Sequence, residues 1–297
     1  MPTDLRLRGT YLPLITPFAA DGSVAVDAIT DLAHHYLDAG AAGLVPLGTT
    51  GEASALTAAE KRAVVDACSA VCVARGAQLI VGAGTNSTAT TIANVEALAG
   101  TPGLSAVRIV VPYYVRPSEA GIVAHFRAVA DASPVPVVLY NVAFRTGRHL
   151  SAAGVIEAAA HPNIVGIKQA TGVEVDTLEL LRDAPADFAV LGGEDAYLFP
   201  MVLMGGAGTI CASAHVCTEQ FVSMIECGLA GKVDEGRALA ETLLPVVQVM
   251  FTEPNPAVFK AVLHAQGRIP TPDVRLPLMN ASAESLATAL AAIAAAG

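Results

Sequence analysis

The chain has 297 residues, of which 53% are hydrophobic and 15% are charged, and its formal net charge is −10. This length suits one large domain or two ordinary ones, with enough apolar residues for a large core. The acidic balance argues against a nucleic-acid-binding surface, which needs clustered lysine and arginine. A small anionic substrate is compatible with it, because such a substrate needs only one or two local cations.

Two segments and the cysteines bear on where the protein resides. Residues 1–10 lack a basic stretch followed by an apolar one, so we predict no signal peptide. Residues 196–218 contain no charged side chain, but Pro200 and three glycines divide them into a predicted short helix, turn and strand rather than a membrane span. The five cysteines form no CxxC pair or His/Cys cluster, which favours reduced thiols in a cytoplasmic protein over a zinc site.

Short apolar runs alternate along the chain with helix-like segments, at a spacing of about 20 to 35 residues that is typical of βαβ units. We predict eight strands, at residues 9–15, 43–47, 78–82, 106–111, 136–140, 164–168, 188–191 and 209–211. Predicted helices between them include residues 26–39, 58–75, 88–99, 118–132 and 152–160. Several of the runs are continuously apolar, as in strands buried on both faces. Eight such units favour a closed (β/α)8 TIM barrel over a doubly wound sheet.

The chain continues well beyond the last predicted strand. Four more helices are predicted there, at residues 216–229, 234–250, 256–266 and 283–295, and one of them completes the barrel. No linker rich in proline, glycine or serine divides the chain. We therefore predict a barrel over residues 1–230 and a small C-terminal helical extension over residues 231–297.

Candidate site residues are those that follow the strands, because the active site of a barrel enzyme lies at the carboxyl ends of its strands. These positions are rich in hydroxyl groups and include one amine and one guanidinium. They comprise residues 48–52 (Gly-Thr-Thr-Gly-Glu), Tyr113, Tyr114, Tyr140, Arg145, Lys168 and residues 192–195 (Gly-Gly-Glu-Asp).

Lys168 is the strongest of these candidates. The other three lysines lie in a charged helix start, in a turn and on a C-terminal helix, whereas Lys168 ends an otherwise apolar strand. Partial desolvation lowers the pKa of such an amine and makes it nucleophilic, so that it can form an imine with a ketone. The alternative is a lysine at the barrel mouth that reaches solvent or pairs with a carboxylate.

Three kinds of side chain could support chemistry at Lys168. Tyr140, at the end of the neighbouring strand, could transfer protons, or it could be only an aromatic residue of the rim. Thr49 and Thr50 lie between glycines in a turn suited to a carboxylate, although Thr57 and Glu60 form a capping box nearby and the threonines could simply precede that helix. Arg145 could bind a carboxylate with two hydrogen bonds, or it could form a surface ion pair.

Taken together, these segments resemble the dihydrodipicolinate synthase / N-acetylneuraminate lyase superfamily over nearly the whole chain. The resemblance lies in the order and spacing of residues 15–18 (Ile-Thr-Pro-Phe), 48–52, 111–114 (Val-Pro-Tyr-Tyr), 139–142 (Leu-Tyr-Asn-Val), 166–168 (Gly-Ile-Lys) and 253–256 (Glu-Pro-Asn-Pro). Each motif alone is weakly specific, but their combination is very specific.

The resemblance implies a role for each matching residue. Lys168 is expected to form an imine with pyruvate, and Tyr140, Thr49 and Tyr114 to relay protons, with Tyr114 reaching into the site of a second copy. Thr50 is expected to hold the pyruvate carboxylate. Backbone groups of Gly193 and Ile210 would line the pyruvate pocket. A homodimer or homotetramer is implied, and no metal or organic cofactor.

Arg145, followed by Thr146 and Gly147, resembles the synthase branch, where the arginine receives the carboxylate of aspartate semialdehyde. The leading hypothesis is therefore a pyruvate-dependent lyase that condenses pyruvate with this aldehyde in lysine biosynthesis. Ala143 and Phe144 depart from the proline and small residue that are usual in the synthases, which leaves a related Schiff-base aldolase or dehydratase as the second hypothesis. The third is a non-catalytic 2-keto-acid-binding protein.

Overall fold

Eight parallel strands form a closed barrel in the computed structural model, which describes residues 5–297. Each strand pairs with the next along the chain, and β1 pairs with β8 to close the barrel. The predicted (β/α)8 TIM barrel is confirmed. The strands are β1 Gly9–Leu12, β2 Gly43–Leu44, β3 Gln78–Gly82, β4 Leu104–Val110, β5 Val137–Asn141, β6 Ile164–Gln169, β7 Ala189–Gly192 and β8 Gly208–Ile210.

The first two strands are shorter than predicted. The sequence predicts strands over residues 9–15 and 43–47, but β1 ends at Leu12 and β2 at Leu44. Pro13 follows directly after β1, and Pro46 lies two residues after β2. Proline has no N–H to donate, so neither ladder can continue, although these residues remain buried and apolar.

Twelve α-helices surround and extend the barrel in residues 5–297. None of them is long and apolar enough to cross a membrane, and residues 196–218 contain a short helix, a glycine turn and a strand, as predicted. The helices are α1 Val26–Asp38, α2 Ala58–Arg75, α3 Thr88–Glu96, α4 Glu119–Ala132, α5 Ala143–Thr146, α6 Ala152–Ala159, α7 Val175–Asp183, α8 Leu198–Leu203, α9 Thr218–Leu229, α10 Val233–Met250, α11 Ala257–Ala265 and α12 Ala283–Ala296.

The apolar side chains form separate cores. One fills the barrel interior, with Ile80, Val138 and Ile210 among its members, and a larger one lies between the strands and the surrounding helices. A third joins α10, α11 and α12 to residues that follow β8. Because this third core also includes Ala212 and Val216 from the end of the barrel, the helices after α9 are packed onto the barrel. The division at residue 230 stays a prediction.

Candidate active site

Lys168 and Tyr140 lie side by side at the carboxyl ends of β6 and β5. They are register partners in the parallel ladder, so their side chains point into the barrel together. The Nζ atom of Lys168 is 5.0 Å from the centroid of the Tyr140 ring. Both residues are buried, with 6% of each exposed. The structure thus brings the predicted nucleophile and the predicted proton-transfer residue together.

The surroundings of Lys168 favour its neutral amine. In residues 5–297, its ammonium group forms no ion pair. Burial lowers the pKa of Lys168; the fields of Tyr140 and Asp195 act in the opposite direction, and that of Arg108 acts in the same direction as burial. A lysine with a lowered pKa has a larger fraction of nucleophilic amine near neutral pH.

Gly193 leaves the space that the Lys168 side chain occupies. A methyl group on Gly193 would lie 2.6 Å from Cγ of Lys168, closer than carbon atoms approach one another. The Gly193 N–H donates to the carbonyl of Gln169, which fixes the chain after β7 against the end of β6. Ile210, at the end of β8, is fully buried in the interior core. Both predicted pocket residues therefore lie at strand ends in the barrel interior.

Asp195 is a buried carboxylate at the same strand ends. Its Oδ2 atom accepts a hydrogen bond of 2.6 Å from the Ser213 N–H. Burial raises the pKa of Asp195, whereas the field of Lys168 lowers it. The pKa of its neighbour Glu194 is also raised, by burial first and by Asp195 second. The two carboxylates give the site acceptor groups close to its cationic residues.

The two threonines of the turn after β2 differ in their surroundings. Thr50 is buried, and its Oγ1 atom accepts a hydrogen bond of 3.1 Å from Nδ2 of Asn255. Because that bond uses a lone pair, the Thr50 hydroxyl keeps its proton available for a ligand. Thr49 is exposed and lines a cavity at the carboxyl ends of the strands. The nearby capping box of Thr57 and Glu60 is present, at the start of α2.

Arg145 lies in the short helix α5 that follows β5, and it is exposed. It stacks on the ring of Phe144, with Cζ 4.7 Å from the ring centroid. The predicted alternative of a surface ion pair does not apply within residues 5–297, since its guanidinium pairs with no carboxylate there. Arg145 is therefore available to an anionic ligand.

Tyr114 points away from the rest of its own chain. It is 87% exposed and has a φ of 71°, a left-handed backbone conformation that is uncommon for a bulky residue. In the described residues its hydroxyl makes no hydrogen bond with Thr49 or Tyr140. The predicted hydroxyl relay is therefore not closed within one copy of the chain.

A cavity of about 590 Å³ opens at the carboxyl ends of β2 to β5. Its wall includes Thr49, Tyr140 and Arg145 from the predicted set, together with Tyr113 and Asn255. The volume is in the range of small-molecule sites. The structure thus joins residues from three separate predicted motifs around one space that a small substrate can enter.

Sequence reasoning missed two residues of this site. Arg108 is a buried cation of β4 that also lines the cavity, and it is the one charged residue of its strand, a signal that the sequence offers. Asn255 lies in a quoted motif, but its contact with Thr50 spans 205 residues and has no local signal. Asp195 was among the candidates that follow the strands, but its burial depends on the neighbouring strand end.

The family of the chain follows from a comparison with known proteins. The model of the dihydrodipicolinate synthetase family matches residues 6–296. The chain belongs to this family. The match covers the barrel and the C-terminal helices, including every residue of the candidate site.

Relatives and solved structures agree with the family assignment. The 4-hydroxy-tetrahydrodipicolinate synthase of Moorella thermoacetica is 40% identical, over 91% of this chain and 92% of that protein. The chloride-inhibited dihydrodipicolinate synthase of Acinetobacter baumannii, solved with pyruvate, has a TM-score of 0.94 at 30% identity, covering 98% of this chain and 99% of that one. A monomeric dihydrodipicolinate synthase variant has a TM-score of 0.94 at 29% identity, covering 98% and 97%.

Proposed function

We propose that this member of the dihydrodipicolinate synthetase family is a 4-hydroxy-tetrahydrodipicolinate synthase that condenses pyruvate with aspartate semialdehyde on Lys168. The observation that carries the proposal is the position of Lys168, a buried amine at the end of a barrel strand, beside Tyr140 and without an ion-pair partner in residues 5–297. The name of the Moorella thermoacetica relative supports the same reaction.

The first half of the proposed reaction forms an imine. The Lys168 amine adds to the ketone carbon of pyruvate, and the resulting carbinolamine loses water to give a protonated imine. The imine withdraws electrons from the methyl carbon, so that carbon loses a proton and an enamine forms. Tyr140 is placed to transfer these protons, with its ring against Nζ. Since the adduct itself is the electron sink, this mechanism needs no organic cofactor or metal.

The second half forms the carbon–carbon bond. The enamine carbon attacks the aldehyde carbon of aspartate semialdehyde, and the aldehyde oxygen takes up a proton. The amino group of the second substrate then attacks the imine carbon, which closes the ring and releases Lys168. We assign the carboxylate of the aldehyde substrate to Arg145, which is exposed at the cavity wall and free of carboxylate partners in residues 5–297.

The carboxylate of pyruvate is assigned to the turn after β2. Thr50 can donate its hydroxyl proton there, because Asn255 already occupies one of its lone pairs. Backbone groups of Gly193 and Ile210 complete the assigned pocket. Thr49 and Tyr114 are assigned to the proton relay.

The relay needs a second copy of the chain. Tyr114, Val115 and Phe144 are apolar or aromatic side chains that are strongly exposed at the barrel mouth, and such clusters are often covered in an assembly. We propose a homodimer, or a tetramer built from such dimers, in which Tyr114 enters the partner's site. Analytical ultracentrifugation alongside activity tests this assembly, and a fully active monomer would contradict it.

The position of Phe144 in the short helix α5 favours a second candidate function. Because Arg145 stacks on Phe144, this helix presents the guanidinium together with a large aromatic ring, and an aldehyde with a different substituent could fit there. The second candidate is therefore a related Schiff-base aldolase or dehydratase that uses the same imine.

Borohydride trapping tests the imine directly. Incubation with pyruvate and borohydride should add one reduced pyruvate to Lys168, detected by intact mass and peptide mapping. A wild-type protein without this adduct would contradict the proposed function and the second candidate alike. A panel of aldehydes then separates the two: condensation with another aldehyde but not with aspartate semialdehyde would favour the second candidate.

The location proposed for the enzyme is the cytoplasm. All five cysteines are free thiols in the structure, and three of them, Cys68, Cys72 and Cys211, are buried. Reduced thiols are typical of proteins in a reducing compartment. Fractionation of cells that express the protein tests this location.

A further inference from the structure

Arg108 is a buried cation that has no anionic partner in residues 5–297. It lies on β4, two residues after Ala106 of the barrel interior, and so it points into the barrel. Only 6% of the residue is exposed. In residues 5–297 its guanidinium forms no ion pair and no hydrogen bond, and its polar contact is the ring of Tyr140, 4.7 Å from Cζ.

The packing of the barrel places this guanidinium at the candidate active site. Arg108 lines the cavity at the strand ends. A methyl group on Gly48 would lie 2.7 Å from Nη2 of Arg108, so the guanidinium fills the space that a glycine leaves at the start of the turn. Thr50, the residue assigned to a carboxylate, is two residues further along that turn. The guanidinium is therefore positioned against the anion-binding part of the site.

Arg108 is also close to the reacting amine. Its Cζ atom and Nζ of Lys168 lie 4.7 and 5.0 Å from the centroid of the same Tyr140 ring, so the two cations are less than 10 Å apart. Their proximity is costly in the free protein, since like charges repel and burial disfavours both. An anion bound between them would offset both costs.

Two other cations that the fold encloses have anionic partners, unlike Arg108. Lys260 pairs with Glu52 at 2.5 Å, and Arg275 pairs with Glu60 at 2.5 Å. Arginine stays protonated in proteins, so Arg108 cannot relieve its burial by losing its proton. The contrast indicates that the anion for Arg108 is supplied by a ligand.

We propose that Arg108 binds the carboxylate of the 2-keto acid that forms the imine with Lys168. This inference rests on the proposed function. In a 2-keto acid the carboxylate carbon is bonded to the carbon that joins Nζ, so an adduct on Lys168 keeps its carboxylate in the immediate surroundings of the amine. The planar guanidinium can donate two parallel hydrogen bonds to that carboxylate, and Thr50 can donate another. Arg108 thus selects keto acids over neutral ketones.

The test uses two substitutions at Arg108 and one matched control. Arg108→Met removes the charge while retaining much of the length, and Arg108→Lys retains the charge without the two-pronged geometry. Arg127→Met makes the same change at a partly exposed arginine that lies outside the cavity wall and pairs with Glu157. Borohydride trapping is measured at increasing pyruvate, and pyruvamide, the neutral amide, is measured in parallel.

The pyruvate concentration for half-maximal trapping should rise about 10- to 100-fold in Arg108→Met, as expected when a charge-assisted hydrogen bond is lost. For Arg108→Lys this concentration should fall between those of the wild type and Arg108→Met, and for Arg127→Met it should equal that of the wild type. The wild type should prefer pyruvate over pyruvamide, and this preference should largely disappear in Arg108→Met. The melting temperature of Arg108→Met should equal or exceed that of the wild type, because a buried unpaired charge has been removed.

Two results would overturn the inference. If Arg108→Met traps pyruvate at wild-type concentrations, or keeps the preference over pyruvamide while only kcat falls, then Arg108 merely positions Tyr140. If the wild type itself forms no adduct, the proposed function fails. Calorimetric titration of pyruvate into wild type and Arg108→Met then decides the inference separately: weaker binding to the variant supports it, and equal or absent binding to both overturns it.

Discussion

Lys168 and Lys260 are both buried lysines, but their surroundings differ. Lys260, on α11, is fully buried, pairs with Glu52 at 2.5 Å and donates to the carbonyl of Asp273 at 2.8 Å. Lys168, on β6, has no ion pair in residues 5–297 and lies beside Tyr140, a residue of the cavity wall. Burial lowers the pKa of both, that of Lys260 to about 8.

We infer from this comparison that ion pairing, rather than burial, distinguishes a lysine with a structural role from the lysine proposed as the nucleophile. The pair of Lys260 with Glu52 joins the C-terminal helices to the turn after β2, because Glu52 ends that turn and also accepts from the Arg275 N–H. The Lys260 ammonium has two acceptors, the Glu52 carboxylate and the Asp273 carbonyl. In residues 5–297 the Lys168 amine has no carboxylate partner, which leaves it available to a carbonyl compound.

The largest expected effect is that of Lys168→Ala. We expect turnover to fall by a factor on the order of 10⁴ or more and the borohydride adduct to disappear, because the nucleophile is removed. The free energy of unfolding should be unchanged or higher, since an unpaired buried amine is lost. Steady-state kinetics, intact mass and denaturant unfolding measure the three quantities. An adduct in this variant would place the nucleophile elsewhere.

Whereas Lys168→Ala should mainly lower turnover, Lys260→Met should mainly lower the stability of the protein. It breaks a buried pair and leaves Glu52 without its cation, which typically costs about 3–5 kcal/mol of stability. Guanidinium unfolding measures this loss. The double variant Glu52→Gln with Lys260→Met removes both charges and should recover most of it. A double variant no more stable than Lys260→Met would show that the pair is not the source of the effect.

Gly193→Ala tests how closely the Lys168 side chain is held. The added methyl group would overlap the lysine side chain, and a displacement of the nucleophile by about 1 Å can cost roughly 100-fold in rate. We expect kcat to fall by about that factor while the protein remains folded. Gly172→Ala, at a glycine whose added methyl would meet only ordinary contacts, is the control. Equal kcat in the two variants would argue against close packing at Gly193.

The pH dependence of kcat/KM for pyruvate reports the titration of Lys168. The amine is the reactive form, so the rate should rise with pH, by about tenfold per unit well below the pKa, and level off above it. Because burial lowers this pKa, the plateau should begin below the ordinary value of 10.5. In Arg108→Met the midpoint should move to higher pH, since the charge of Arg108 also lowers the pKa of Lys168. A midpoint at 10.5 in the wild type would contradict a desolvated lysine.

The smallest effect is expected for Asn255→Ala. This change removes the hydrogen bond to the Thr50 hydroxyl, and the loss of one neutral hydrogen bond corresponds to about 2- to 10-fold in KM for pyruvate. The value of kcat should change little, because Asn255 acts through Thr50. A large loss of kcat with unchanged KM would show a different role for Asn255.

The amino-acid sequence was sufficient to predict the barrel and to select Lys168 as the candidate nucleophile. The alternation of apolar runs with helical segments predicted eight parallel strands, because buried strands and amphipathic helices leave local patterns in the chain. Lys168 could be selected because it ends an apolar strand while the other three lysines do not. The ordered motifs around it predicted the family, which the match over residues 6–296 confirmed.

The pairing of the buried charges became known from the three-dimensional structure. In the sequence, Lys260 looks like an ordinary helix residue, yet its partner Glu52 lies in a turn more than 200 residues earlier. The hydrogen bond between Asn255 and Thr50 spans a similar sequence separation. Arg108 stands out in its strand, but its lack of an anion becomes visible only when the ends of neighbouring strands meet around the cavity. Secondary structure depends largely on residues that are neighbours in the sequence. The burial and pairing of a charge depend instead on chain segments that meet only in the closed barrel.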